Sequence, residues 1–237
     1  ELIAGIVMIQ LRKPHTRTLV WGFPNALNMR SGQPAVGTIA NSLFIVACNQ
    51  IWRDYGVPLR NTASAYSKSK KIDFQNGFER AIPAMLSALS GASSVHLHGG
   101  MYGELSHSPI QSILDDDVAG MIGRFVEGVE VNEETVALEL IHGVGPVPGQ
   151  FLDSEHTARL WRGEQYVQEY TDSLGYAEWI TQGKPDTIDY AKKKMEEILA
   201  THEIKQRLTD EQLSEIDDIL AEAERFYTER GDIEASD

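Results

Sequence analysis

Cysteine is almost absent from this chain. Cys48 is the only one, and one thiol forms no internal disulfide, so a reducing, cytoplasmic setting is expected. It falls in a helical pattern with Val46, Ala47 and Ile51 and reads as a buried structural thiol rather than a nucleophile. Basic residues are also scarce, with 21 Lys and Arg against 35 Asp and Glu and a net charge of −14. Such a surface repels nucleic acid phosphates and anionic membranes, which removes both as general partners. The acidity serves solubility, or offers an acidic face to a basic protein. No apolar run reaches membrane-spanning length. The stretch Leu2 to Leu11 is apolar but short, and Glu1 stands where a secretion signal needs basic residues. It reads as a buried helix cut mid-turn, and without an initiating Met the chain is expected to be a fragment. Three nucleotide and hydrolase signatures are missing as well: G-x-G-x-x-G, the P-loop and the G-x-S-x-G elbow.

What is present is a repeated unit. The 237 residues, 42% of them hydrophobic, allow one sizeable core and a small second unit. Short apolar strands are predicted at 18–22, 57–61 and 94–98. Each is followed by a loop of unusual residues and then by a helix, at 38–55, 72–90 and 107–127. The predicted inner stripes are Ile39, Leu43, Val46 and Ile51, then Phe74, Phe78, Ile82, Met85 and Leu89, then Ile110, Ile113, Val118, Met121, Ile122 and Phe125. Gly56 and Gly91 sit where helices end. Strand, long loop and helix in series is the grammar of parallel βα units. Long loops after the strands and tight returns before them suit a (β/α)8 TIM-type barrel, with a doubly wound sheet as the alternative. Residues 1–130 are therefore read as barrel units. Residues 131–237, with helices from Asn132, from Ser154, and at 186–201 and 209–230, are read as a helical extension ending in a frayed acidic tail.

The chemistry concentrates at the end of the third strand, Val95-His96-Leu97-His98-Gly99-Gly100. A strand's period of two places His96 and His98 on one face with Leu97 opposite. Two imidazoles there could be metal ligands, ligand contacts or satisfied packing residues. A metal site needs further ligands, and of the remaining histidines only His107 is close in sequence. Asp115, Asp116 and Asp117 point about 100° apart on a helix, so they cannot share one ion. They read as a solvated face from which one carboxylate bonds back to the Gly-Gly loop.

Several motifs in order carry a resemblance. They are Asn28-Met29-Arg30-Ser31-Gly32-Gln33-Pro34 before an apolar helix, and Ser69-Lys70-Lys71-Ile72-Asp73-Phe74-Gln75-Asn76-Gly77. They continue with Gly91-Ala92 and the 96–104 loop, Asp117-Val118-Ala119-Gly120-Met121-Ile122, and Phe151-Leu152 with His156-Thr157. In this order, from residue 1 to about 228, they resemble the trimethylamine methyltransferase family, whose corrinoid-dependent members include glycine betaine enzymes. The resemblance implies the C-terminal half of a (β/α)8 barrel. It implies transfer of a methyl group from a methylated amine to the Co(I) of a corrinoid carried by a separate protein. No cofactor would be held tightly by this chain itself; a homo-oligomer stays open.

Under that resemblance, Trp21, Phe23, Tyr66 and Tyr102 would supply aromatic faces for a quaternary ammonium. His96, His98 and His107 would contact substrate, and His98, Tyr102 and Glu104 would sit at the reacting centre. Two departures shape the expectation. Ser67 stands at or beside the position of the pyrrolysine of the trimethylamine enzymes, which points away from trimethylamine and towards a quaternary amine such as a betaine. Met101-Tyr102-Gly103, with Glu104 one position beyond, replaces the Leu-Glu-Ser of many relatives. The rival readings are a His-x-His metal-dependent hydrolase and a barrel fragment that binds an amine or a partner without turnover.

Overall fold

The computed structural model describes residues 1–22, 24–61, 63–203 and 208–231. Phe23 of the expected aromatic cage and residues 232–237 of the acidic tail lie outside them. The chain parts into two compact units, residues 1–196 and 197–237. The first opens with helix α1 (Leu2–Arg12) and continues β1 (Val20–Gly22), α2 (Ile39–Asp54), β2 (Leu59–Asn61), a 3-10 turn (Ala63–Ala65), α3 (Phe74–Leu89) and β3 (Ser94–Val95). A hairpin, β4 (Gly100–Met101) and β5 (Ser106–His107), precedes α4 (Pro109–Glu127). Short helices α5 (Glu133–Val136), α6 (Leu138–Val144), α7 (Glu155–Glu164) and α8 (Tyr176–Thr181) follow, then α9 (Thr187–Thr201). The second unit holds the end of α9 and α10 (Asp210–Glu229).

The three predicted βα units are present, with caps that explain their limits. Thr38, Asp73 and Ser108 accept hydrogen bonds from the backbone N–H groups of Asn41, Asn76 and Gln111 and start α2, α3 and α4. Gly56 and Gly91 take positive φ just past α2 and α3. Strands β1, β2 and β3 form one parallel sheet in that order. Among the described residues the parallel sheet stops at three strands, so what is observed is a helix-rich α/β fold with small sheets and no closed barrel. The third strand is shorter than predicted, because its ladder ends at Val95. Beyond it the Gly-Gly loop turns into the antiparallel hairpin β4-β5, which the sequence reading missed. The helix expected from Asn132 to His142 breaks at Ala137, which takes φ 51° and separates α5 from α6.

One face of the sheet is covered. Val20 and Leu59 pack on Trp52 of α2, with Ile6, Cys48 and Val57 around them, and burial raises the Cys48 thiol pKa. Val95 and Leu97 pack with Ala65, Ala84 and Ile122 between α3 and α4. The opposite face is bare: Trp21 is 61% exposed. A parallel sheet is ordinarily covered on both faces.

The predicted helix stripes are corrected. Ile39, Leu43 and Ile51 of α2, Phe74, Ile82 and Leu89 of α3, and Phe125 of α4 are exposed, Phe74 by 87%. The buried positions of α2 and α3 are largely polar. The reason is a set of paired polar groups in the interior. The Asn61 amide nitrogen donates to Asn49 Oδ1 (2.8 Å) and Ser87 Oγ (2.7 Å), and the Asn49 amide nitrogen donates to Ser90 Oγ (2.5 Å). These bonds join α2, β2 and α3, and buried polar groups persist where they are paired. Asp115 and Asp117 are likewise buried; only Asp116 of the triplet is exposed.

The deepest pair is Arg80 with Asp115. Both are 1% exposed, and the guanidinium meets the carboxylate through Nε at 2.7 Å and through Nη2. Gln111 Nε2 donates to Asp115 Oδ1 at 2.8 Å. Removing one member of such a pair strands a buried charge, so Arg80→Met is expected to lower unfolding free energy by about 3–5 kcal/mol. Urea unfolding followed by circular dichroism measures it, and a loss no larger than that of an exposed Arg would contradict this account.

Candidate functional site at the sheet's open face

The register places the site. Trp21 pairs with Arg60, and Arg60 with Ser94, so these side chains share the bare face while Val20, Leu59 and Val95 face the helices. His96 and His98 continue the parity of Ser94 beyond the ladder, and their rings stack in parallel, with centroids 3.8 Å apart and 4° between planes. The alternation predicted for His96, Leu97 and His98 therefore persists after the strand hydrogen bonds end. Ser64 of the 3-10 turn accepts from the His96 backbone N–H at 3.1 Å and holds this segment against the end of β2.

Arg60 connects the cluster and was not singled out in the sequence. Its guanidinium lies 5.5 Å from the Trp21 ring centroid, and its Nη2 is 3.4 Å from His96 Nε2. A guanidinium only donates, so His96 Nε2 is the acceptor there. Arg60 forms no ion pair among the described residues. The signal that could have found it was a lone cation at the centre of a predicted strand, one register step from Trp21. Tyr66 closes the cluster, buried, with its ring 6.4 Å from that of His96. Burial first, then the Glu104 carboxylate, raise its phenol above the usual tyrosine pKa.

Glu104 reaches back to the second histidine. His98 Nε2 and Glu104 Oε2 are 2.6 Å apart, and the Glu104 side chain is 16% exposed. Burial pushes the Glu104 carboxyl up to about 7. Burial, then the Arg80 charge, lower the His98 pKa. Both shifts disfavour charge, so burial works against an ion pair here and favours a hydrogen bond between the carboxyl and the imidazole. His98 Nδ1 and Glu104 Oε1 are buried with no hydrogen-bond partner among the described residues, which leaves hydrogen-bonding capacity at the site.

The glycines of the loop serve the scaffold. A Cβ on Gly100 would fall 1.8 Å from Glu104 Oε2, and one on Gly99 would fall 2.1 Å from Ser112 Oγ. The close neighbours are thus the Glu104 carboxyl and the start of α4. The turn is fastened from behind: Gly99 N–H donates to Asp115 Oδ2 at 2.7 Å and Arg80 Nη1 donates to the Gly100 carbonyl at 2.5 Å. This is the carboxylate bond to the Gly-Gly loop that the sequence led us to expect.

Other candidates lie elsewhere. Ser67 is fully buried and its hydroxyl donates to Glu79 Oε2 at 2.8 Å, so it faces the scaffold and is closed to a substrate. Tyr102 carries the Lys70 ammonium 4.5 Å above its ring, on the rim rather than against the histidines. His107 is exposed at the end of β5, its Nε2 3.0 Å from Ser112 Oγ. The metal-hydrolase alternative finds no donor set: among the described residues no three His, Cys, Asp or Glu side chains come together as a metal site. The stacked imidazoles also keep their lone pairs in two separate, parallel planes, and their Nε2 atoms meet different partners, Arg60 and Glu104. Among the described residues no helix is long and apolar enough to cross a membrane.

The family model described as trimethylamine methyltransferase matches residues 1–225. A glycine betaine methyltransferase of Desulfitobacterium hafniense (strain Y51) is 33% identical over 204 residues, which is 85% of this chain and 42% of that protein. A trimethylamine methyltransferase of Methanosarcina thermophila is 28% identical over 205 residues, 86% of this chain and 42% of that protein. The chain thus spans 42% of the length of these curated relatives.

The raised Glu104 pKa has a definite sign. A carboxyl protonated more readily in the folded than in the unfolded state adds stability at low pH, and that contribution disappears as pH rises from the usual carboxylate range through about 7. Glu104→Gln cannot ionise, so the melting temperature of the wild type is expected to fall relative to this variant between pH 5 and pH 8. Parallel melting curves across that range would refute the assignment.

Proposed function

The chain belongs to the trimethylamine methyltransferase family, and from that premise we propose that it is the C-terminal part of a (β/α)8 barrel that takes a methyl group from a quaternary, carboxylate-bearing amine. The acceptor is the Co(I) of a corrinoid on a separate protein. Residues 1–130 supply barrel units and 131–237 the helical extension. The bare face with Trp21, Arg60, His96 and His98 is then barrel interior, and the loops after β1, β2 and β3 are its mouth. Three strands cannot close a barrel, so turnover belongs to a closed form with more strands than these.

The observation that carries this reading is the shared face of Trp21, Arg60, His96 and His98, with Tyr66 and Glu104 against it. Little covalent chemistry is asked of these residues, because the nucleophile is the acceptor metal. Their work is to orient the N-methyl group and exclude water. Trp21 and Tyr66 offer aromatic faces to a methylated cation. Arg60, without an ion pair among the described residues, offers donors to a carboxylate. Glu104 fixes the His98 ring, whose orientation shapes the floor of the pocket. A cation and an anion bound side by side describe a betaine, which agrees with Ser67 standing at or beside the pyrrolysine position and with the similarity to a glycine betaine methyltransferase.

The test incubates the longest form of the protein its gene encodes with Co(I) corrinoid protein and a panel of methylated amines, following methyl-cobalt absorption. Methyl-cobalt is expected from a betaine and not from trimethylamine; none from any amine would overturn the reading. Arg60→Ala should lower kcat/KM for the betaine by about a hundredfold or more, the usual scale for losing a buried charge-assisted contact, and should erase its preference over tetramethylammonium. His98→Ala should lower turnover while leaving the circular dichroism spectrum unchanged.

A further inference from the structure

A second cavity opens beside this cluster, about 430 Å³ in volume, between the loops that follow β1, β2 and β3. Asn28 and Gln33 come from the first loop, Tyr66, Lys68 and Lys70 from the second, and Tyr102 from the hairpin after the third. The chain as a whole carries 35 acidic residues, yet among the described residues no acidic side chain lines this cavity. Neither Lys68 nor Lys70 pairs with a carboxylate among the described residues. Lys70 rests over the Tyr102 ring at 4.5 Å, which holds an ammonium in place without neutralising it.

The lysines stand on a fastened segment. The buried Glu79 accepts from the Lys68 backbone N–H and from Ser67 Oγ, both at 2.8 Å. On the other side Tyr102 N–H donates to the Ser69 carbonyl at 3.1 Å and Gly103 N–H to the Ser67 carbonyl at 2.7 Å. The opposite wall is a closed turn, with Asn28 N–H bonded to the Gln33 carbonyl at 2.8 Å. Two uncompensated cations, side-chain amides and aromatic edges around one cavity, in an otherwise acidic protein, make a preformed seat for a negatively charged group.

We infer that this cavity is an anion-binding subsite on the rim, taking a small organic molecule through a carboxylate or phosphate group, with Lys68 and Lys70 as its charged contacts. Asn28 and Gln33 offer both donors and acceptors, so the ligand carries hydrogen-bonding groups beside its charge. Tyr66 lines the cavity and also contacts the His96 ring, so an occupant sits next to the cluster on the sheet face. This inference stands apart from methyl transfer, since anion binding is measurable without any turnover.

The experiment is calorimetric titration of the protein with inorganic phosphate, with acetate, and with tetramethylammonium as a cation control. Saturable binding of phosphate or acetate, weakening with salt, is expected, and the stronger of the two names the group. The Lys68→Ala/Lys70→Ala variant should weaken that binding about tenfold or more, whereas Lys192→Ala/Lys193→Ala, on the exposed face of α9, should leave it unchanged with the same loss of charge. Absence of saturable binding by either anion, or equal weakening in both variants, overturns the inference. Lys70→Gln alone, expected to give an intermediate affinity, keeps the test open if the double variant does not fold.

Discussion

Two charges taken out of water at the centre of the first unit hold the rest in place. Arg80 on α3 and Asp115 on α4 neutralise each other, and each has a further task at the Gly-Gly turn. Burying a guanidinium and a carboxylate is costly unless every donor and lone pair is used. Here further positions are taken by the Gly99 N–H, the Gly100 carbonyl and the Gln111 amide. The turn that presents His98 is thereby fixed from below. The Arg80 charge also reaches the site electrostatically, lowering the His98 pKa and opposing the rise at Glu104.

Strain above the turn is matched by this support below it. Tyr102, Gly103 and Glu104 all take positive φ, at 50°, 66° and 70°, a conformation that costs non-glycine residues energy and persists only when the surroundings impose it. The surroundings here are the two backbone bonds from Tyr102 and Gly103 to the Ser67–Ser69 segment and the space above Gly100. Without a Cβ, Gly100 leaves room for the Glu104 carboxyl to reach His98.

The order of strands and helices was legible because caps and glycines mark their ends locally. Thr38, Asp73, Ser108, Gly56 and Gly91 each act within a few residues of themselves. The same holds for the shared side of His96 and His98, which follows from strand parity alone. The buried faces of α2 and α3 were not legible. Hydrophobic periodicity assumes that apolar residues turn inward, and here Asn49, Asn61 and Ser87 take the interior by pairing with one another. Those partners are 12 to 38 residues apart and no local pattern reveals them. Arg60 was missed for a related reason, since its importance comes from the neighbouring strand. Ser67 was read from its place in a motif, whereas its hydroxyl answers to Glu79. The Glu79 side chain also fills the space beside Gly37, where an added Cβ would come within 2.8 Å of the Glu79 Cβ.

Glu79 thereby touches the end of one post-strand loop and the backbone of the next, and the hairpin is stitched to that second loop. Segments joined in this way cannot flap independently. Whatever enters the rim meets a surface whose conformational entropy was surrendered when the chain folded, so little ordering cost remains to be subtracted from the affinity of capture.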